Sequence, residues 1–191
     1  MPKYILLDRD GVINRRAIGG YVTSWSQFEF LPGALEALRL LAENDYSAIV
    51  ISNQACVGKG LLTLEGLSEI TRRFLAEVQK YGGRIEGVYY CPHRIEDGCG
   101  CRKPLPGLLI QAQKDHGFSF SETFLVGDSE KDVLAAQHVG CPAVLISDAG
   151  TDVNGPWTCP PQGVVGNLYS AVLFILGCAK RPPVPTTPAD A

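Results

Sequence analysis

Apolar and polar positions along this chain fall into short blocks that change period. Tyr4-Ile5-Leu6-Leu7 is a continuous apolar run ended by Asp8 and Gly11, which predicts a short buried strand followed by a turn. Residues Arg15 to Leu31 show no period and read as a long loop; Pro32-Gly33 then opens a helix with Leu35, Leu38 and Leu41-Ala42 at helical spacing, ended by Glu43-Asn44-Asp45. Ala48–Ile51 is a second apolar run. A second helix is predicted from the N-cap Thr63 to about Tyr81, with Leu64, Leu67, Ile70, Phe74, Leu75 and Val78 on one face and Gly82-Gly83 as its stop. Ile85–Tyr90, Thr123–Val126 and Pro142–Ile146 read as further strands, with Val164-Val165 as a short last one. Helices are predicted at Leu108–His116, through Val133, Leu134, Ala136 and Val139, and from Leu168 onward. Strands alternating with helices predict an α/β domain with a doubly wound, mostly parallel sheet.

Composition narrows the class. At 191 residues and 46% apolar content, the chain is long enough for one well-buried core and short for two. We expect one domain over residues 1–179 and a mobile tail over 180–191, where Pro182, Pro183, Pro185 and Pro188 leave no packable face. A net charge of −3 lacks the basic field that nucleic-acid binding needs, so a small molecule is the expected partner. The apolar stretch 168–179 is well below the ~20 residues that span a bilayer, and no signal-peptide core fits before Asp8. The expectation is a cytoplasmic monomer without membrane or nucleic-acid partners.

The predicted strands deliver polar groups at their C-terminal ends: Asp8 and Asp10, Ser52 and Asn53, Cys91, then Asp128 and Asp132. Alone, Asp-x-Asp-Gly is common in loops. Together these groups meet the needs of phosphoryl transfer, which are an in-line nucleophile, a cation for phosphate oxygens, further donors and an acid for the leaving group. Asp8 is the expected nucleophile and Asp10 the general acid and base. Asp128 would complete an oxygen set for Mg²⁺. Ser52 and Asn53 offer neutral donors, Lys103 a point charge for phosphate and nucleophile, and Arg102 a fork for a second anionic group.

Three of the seven cysteines cluster with a histidine as Cys91-x-His93 and Cys99-x-Cys101. Three thiolates and one imidazole suit tetrahedral Zn²⁺, and a closed set of four makes the ion structural. Its expected work is to pin a short polar loop and thereby fix Arg102 and Lys103. Cys56, Cys141, Cys159 and Cys178 have no partner spacing and are read as ordinary thiols. Tyr21 and Trp25 are open between lining the substrate mouth and stapling the loop.

Asp-Arg-Asp-Gly-Val-Ile-Asn (8–14), Ser-Asn-Gln (52–54), Cys-Arg-Lys-Pro (101–104) and Gly-Asp-x-x-x-Asp (127–132) resemble, in order, the four motifs of the haloacid dehalogenase (HAD) superfamily. The resemblance implies a Rossmann-like fold, here minimally capped, and Mg²⁺ held by the side chains of Asp8 and Asp128 and the backbone carbonyl of Asp10, with Asp132 in support. Within the superfamily the zinc loop is similar to that of two groups, heptose 1,7-bisphosphate 7-phosphatases and histidinol-phosphatases. Asn14, Gly20-Tyr21, Phe30-Leu31-Pro32-Gly33-Ala34 and Lys103-Pro104-x-Pro106-Gly107 look like the first group. The implied substrate contacts are Arg9, Asn14, Gly20, Tyr21, Asn53, Gln54, Arg102 and Ser129, the last standing where the heptose enzymes usually carry lysine. The expected activity is removal of the 7-phosphate from a heptose bisphosphate. The rival readings are a histidinol-phosphatase and a zinc-stabilised binding module without activity.

Overall fold

The computed structural model describes residues 2–147 and 160–179. The proline-rich segment from Lys180, Cys159 and the side chain of Cys178 lie outside the described residues. Strands β1 (Lys3–Leu7), β2 (Tyr46–Asn53), β3 (Ile85–Cys91), β4 (Phe124–Gly127), β5 (Ala143–Ile146) and β6 (Gly163–Val165) form one parallel sheet in the order β3-β2-β1-β4-β5-β6. The chain moves outward from β1 to β3, crosses back to β4, and then moves outward the other way. The connections therefore diverge between β1 and β4, which opens a crevice at the carboxyl ends of these two strands.

Period-2 alternation in the buried strands supplies both faces of the sheet. Ile5, Leu7, Ala48, Val50, Val126 and Val144 point into a core closed by helices α1 (Ala34–Glu43), α3 (Leu64–Lys80) and α6 (Leu168–Ala179). Leu6, Ile49, Ile51, Leu125 and Leu145 point to the opposite face, under α4 (Gly107–His116) and α5 (Glu130–Gln137). Helix α3 begins where its sequence indicates, with the Thr63 hydroxyl accepting the Gly66 N–H at 3.0 Å. Its Phe74 is fully buried and stacks on Phe28 at 5.6 Å, a burial worth about 1.5–3 kcal/mol. The apolar helix α6 packs Ala171, Val172 and Ile175 into the first core. No helix among the described residues is long and apolar enough to cross a membrane.

The departures from expectation are local. β2 extends two residues beyond the predicted run at each end, because Asp45 at φ 63° turns the chain out of α1 and Tyr46 enters the sheet at once. After β2 a single helical turn, α2 (Ala55–Gly58), buries Ala55 and Cys56, and it is too short to leave a periodic signature. The 15–31 loop is stapled by aromatic packing. Trp25 stacks on Phe28 at 5.2 Å and leans on the core, so it does not line the substrate mouth.

Candidate active site

The turn after β1 is built by one carbonyl and one glycine. Arg9 O accepts the N–H groups of Ile13 at 2.8 Å and Asn14 at 3.1 Å, while Gly11 adopts φ +92°. A Cβ on Gly11 would lie 1.6 Å from Asp128 Oδ2, so only glycine lets the first turn approach the end of β4 this closely. Asp8 N–H donates to Val126 O at 2.9 Å, which ties the two strand ends together.

Asp8 sits at the crevice floor. Its Oδ1 accepts the Arg9 backbone N–H at 2.7 Å and meets Lys103 Nζ at 3.0 Å. The buried Lys103 ammonium also pairs with Asp132 Oδ1 at 2.5 Å and donates to Ile51 O at 2.7 Å, so two carboxylates and one carbonyl surround it. Burial pulls the Lys103 pKa down, but Asp132 and Asp8 outweigh it and hold the group above its ordinary value. Burial pushes Asp8 up, opposed by Lys103 and reinforced by Asp132 and Asp10. Asn53 sets where Lys103 lies: its amide accepts the Lys103 backbone N–H at 3.0 Å and donates to the Lys103 carbonyl at 3.0 Å.

Asp10 is gripped by three side chains. Arg9 Nη2 reaches both of its oxygens at 3.0 Å, Asn14 Nδ2 donates to Oδ1 at 2.8 Å and Gln54 Nε2 to Oδ2 at 2.7 Å. Arg9, Asn14 and Gln54, expected among the substrate contacts, are thus placed against Asp10. All three are buried, and Arg9 is enclosed between the rings of Phe28 and Tyr90 at 5.9 and 5.7 Å. The physical reason is that a carboxylate leaving a buried strand end draws its donors inward. Asn53 borders the cavity, with its amide bonded to the Lys103 backbone.

A cavity of about 550 Å³ opens above Asp8 and Asp10. Of the expected residues, Ser52, Gly20, Tyr21, Arg102, Lys103 and Ser129 line it. Ser52 Oγ accepts Gln54 Nε2 at 3.1 Å, and Ser129 Oγ donates to Asp132 at 2.6 Å from the N-cap of α5. Arg102 extends over the rim and donates to His93 O at 3.2 Å. Lys131 lines the cavity as well, and sequence reasoning missed Arg16 and Lys59, which also do. These two occupy an aperiodic loop and a place between two glycines, where a charge is ordinarily just solvated. Lys59 Nζ lies over the Tyr21 ring at 5.3 Å.

Two groups of side chains are suited to metals. Carboxylate oxygens of Asp8, Asp128 and Asp132 lie within 4.8 Å of one another. Arg16 donates to Asp128 Oδ1 at 2.5 Å and, through Nε, to Asp10 O at 3.3 Å, so one cation already spans these two oxygens. Burial raises the Asp128 pKa, Asp8 adds to the shift and Arg16 opposes it, leaving it at about 8. An all-oxygen set of this kind fits a hard divalent cation. In the second group, the Cys91, Cys99 and Cys101 sulfurs are 3.4–3.5 Å apart, and His93 Nδ1 is 3.3 Å from Cys101 Sγ and 3.7 Å from Cys91 Sγ. Zn–S bonds of about 2.3 Å imply tetrahedral edges of about 3.8 Å, so the cluster is closed slightly tighter than a zinc shell and has its chemistry. Burial lifts the Cys91 thiol to about 12; at Cys99, hydrogen bonds from Cys101 and Cys91 outweigh the burial and lower it to about 7.

A parallel sheet with its carboxylates at the β1/β4 crevice, a buried lysine against the first of them and a Gly-Asp turn after β4 defines a HAD-like hydrolase. The HAD-hydrolase-like family model matches residues 100–171, and the chain belongs to this family, among its phosphatases. It is 41% identical over 153 residues to D-glycero-alpha-D-manno-heptose-1,7-bisphosphate 7-phosphatase of Mycobacterium bovis, covering 77% of this chain and 80% of that one. It is 38% identical over 135 residues to the beta-heptose 7-phosphatase of Helicobacter pylori, covering 70% and 76%. The crystal structure of D,D-heptose 1,7-bisphosphate phosphatase from B. bronchiseptica, complexed with magnesium and phosphate, superposes with a TM-score of 0.86 at 30% identity, covering 92% of this chain and 98% of that one.

Proposed function

We propose that this chain is a Mg²⁺-dependent phosphomonoesterase that removes the 7-phosphate of D-glycero-D-manno-heptose 1,7-bisphosphate in the cytoplasmic supply of nucleotide-activated heptose, acting as a monomer. One observation carries the substrate class: besides Lys103, paired with Asp8 and Asp132, and Arg16, paired with Asp128, the cavity above Asp8 is lined by Lys59, Arg102 and Lys131, which have no carboxylate partner among the described residues. That is more positive charge than one phosphate needs, and it suits a substrate with a second phosphate away from the reacting one. Histidinol phosphate carries one phosphate and an ammonium group, which this rim repels. The names of the similar enzymes point to the same substrate.

Asp8 attacks phosphorus in line, and the bond from phosphorus to the sugar oxygen breaks as the aspartyl-phosphate forms. Lys103 and the Arg9 N–H hold Asp8 Oδ1 and fix the attacking carboxylate. Asp10 gives its proton to the departing alkoxide, then takes one from the water that attacks the phosphoenzyme, releasing inorganic phosphate and restoring Asp8. Arg9, Asn14 and Gln54 are positioning residues that aim Asp10. Ser52 contributes its hydroxyl hydrogen to a phosphate oxygen, and Ser129 and Tyr21 border the bound sugar. Asp8, Asp128 and the Asp10 carbonyl would hold Mg²⁺, which when bound supplies charge neutralisation for the phosphate oxygens. Cys91, His93, Cys99 and Cys101 would hold structural Zn²⁺ that fixes the loop carrying Arg102 and Lys103.

The test is steady-state phosphate release from the α and β anomers of the heptose bisphosphate, from heptose 7-phosphate and from histidinol phosphate. A kcat/KM at least about a hundredfold higher for a bisphosphate than for histidinol phosphate is expected. A preference for histidinol phosphate would overturn the reading.

A further inference from the structure

Arg16 stands apart from Lys59, Arg102 and Lys131 because it already bonds two of the oxygens assigned to the metal. Its Nη2 donates to Asp128 Oδ1 at 2.5 Å and its Nε to the Asp10 carbonyl at 3.3 Å. Its neighbour Arg15 turns the other way and pairs with Glu29 at 3.1 Å on the surface. A divalent ion bound to those oxygens at about 2.0–2.1 Å needs the space between them, which the guanidinium fills. The two cations therefore exclude one another.

The arm is placed to leave. Arg16 is 55% exposed, and the chain after it runs through the fully exposed Ile18 to Gly19 at φ +66°. Arg16 borders both the cavity above Asp8 and an adjoining one of about 530 Å³ lined by Gly11, Val12, Leu31, Asp128 and Ile146. A guanidinium released from Asp128 has room in the second and a phosphate to meet in the first.

We propose that Arg16 is an internal counter-cation of the metal site: it neutralises Asp128 and bonds the Asp10 carbonyl in the metal-free protein, competes with Mg²⁺ for them, and turns to the substrate phosphate when the ion displaces it. This rests on the assignment of Mg²⁺ to Asp8, Asp10 and Asp128. Its consequence is coupling. Phosphate in the cavity draws Arg16 away and tightens Mg²⁺ binding, and by linkage Mg²⁺ tightens phosphate binding.

The experiment measures Mn²⁺ binding by electron paramagnetic resonance, with Mg²⁺ as competitor, in the zinc-loaded wild type and in Arg16→Gln, Arg16→Lys and Asp128→Asn, each with and without inorganic phosphate. Arg16→Gln is expected to bind the ion about 3- to 10-fold more tightly than wild type without phosphate, the scale of one half-exposed ion pair, with Arg16→Lys in between. Phosphate should tighten the ion more in wild type than in Arg16→Gln. Equal or weaker ion binding by Arg16→Gln, with binding lost in Asp128→Asn, overturns the competition and leaves the metal site standing. Unchanged binding in Asp128→Asn overturns the metal site and the proposal together.

Discussion

Replacing Lys103 with Met exposes how Asp8 is held. The ammonium stands 3.0 Å from Asp8 and 2.5 Å from Asp132, and at an effective dielectric of about 20 these contacts are worth about 5–6 and 6–7 kcal/mol before desolvation is charged against them. Desolvating three charges consumes most of that sum, so the net value of the triad is small. Breaking it is another matter, because Lys103→Met leaves two carboxylates facing each other in a site where Asp132 is fully buried. The expected loss is about 3–5 kcal/mol. Asp132→Asn keeps the Asp8 pair and should lose about 1–3 kcal/mol. The double variant removes one of the stranded carboxylates and should be more stable than the sum of the single losses predicts, by at least about 1.5 kcal/mol. The assay is urea unfolding of the four proteins at neutral pH without added Mg²⁺ and without chelator, so that no ion is stripped from the cysteine cluster. Additivity within about 0.5 kcal/mol would show that the three groups do not act as a unit and would refute the argument.

Asp8→Asn should lower kcat by at least about a thousandfold in a phosphate-release assay while circular dichroism shows an intact fold, since an amide oxygen is a poor nucleophile; substantial turnover would remove Asp8 from that role. Stripping zinc with a chelator, followed by Mg²⁺ replacement, should raise hydrogen exchange across residues 92–100 and lower kcat without abolishing Mg²⁺ binding, and full activity without zinc would show the loop holds itself. Glu69 is drawn down to about 2 by hydrogen bonds from Arg72 and Arg73. A carboxylate lowered from 4.5 contributes stability above pH 4.5 that disappears as pH falls toward 2, so the urea midpoint of wild type should exceed that of Glu69→Gln at pH 6 and the gap should close on acidification.

Local features were legible in the sequence. The apolar runs of β1, β2 and β5 and the helical stripe of α3 announce which side chains leave water, and period then places Asp8, Asn53 and Asp128 at strand ends. The cysteine cluster was legible because its four members fall within a stretch of eleven residues, 91–101, which the fold need only close. What stayed hidden was the reach of long polar arms. Nothing in the spacing says that Arg9 turns back between Phe28 and Tyr90, or that Gln54 crosses to Asp10 from 44 residues away. Arg16 meets Asp128 across 112 residues, and in the sequence it is one of two adjacent arginines in a loop without period. Burial patterns reveal where a residue starts, whereas the partners of its tip depend on which strands the topology makes neighbours.

The tie between Asn53 and Lys103 has a consequence for how the loop can change. Both backbone hydrogen-bonding groups of Lys103 are held by one amide at the end of β2, so the ammonium is located from the sheet and not by counting residues along the loop before it. The stretch Arg94–Gly98 is exposed and lies between Cys91-Pro92-His93 and Cys99. Residues inserted there lengthen an exposed loop without carrying Lys103 off Asp8. Such a loop can be lengthened, shortened or exchanged while the floor of the crevice stays as it is.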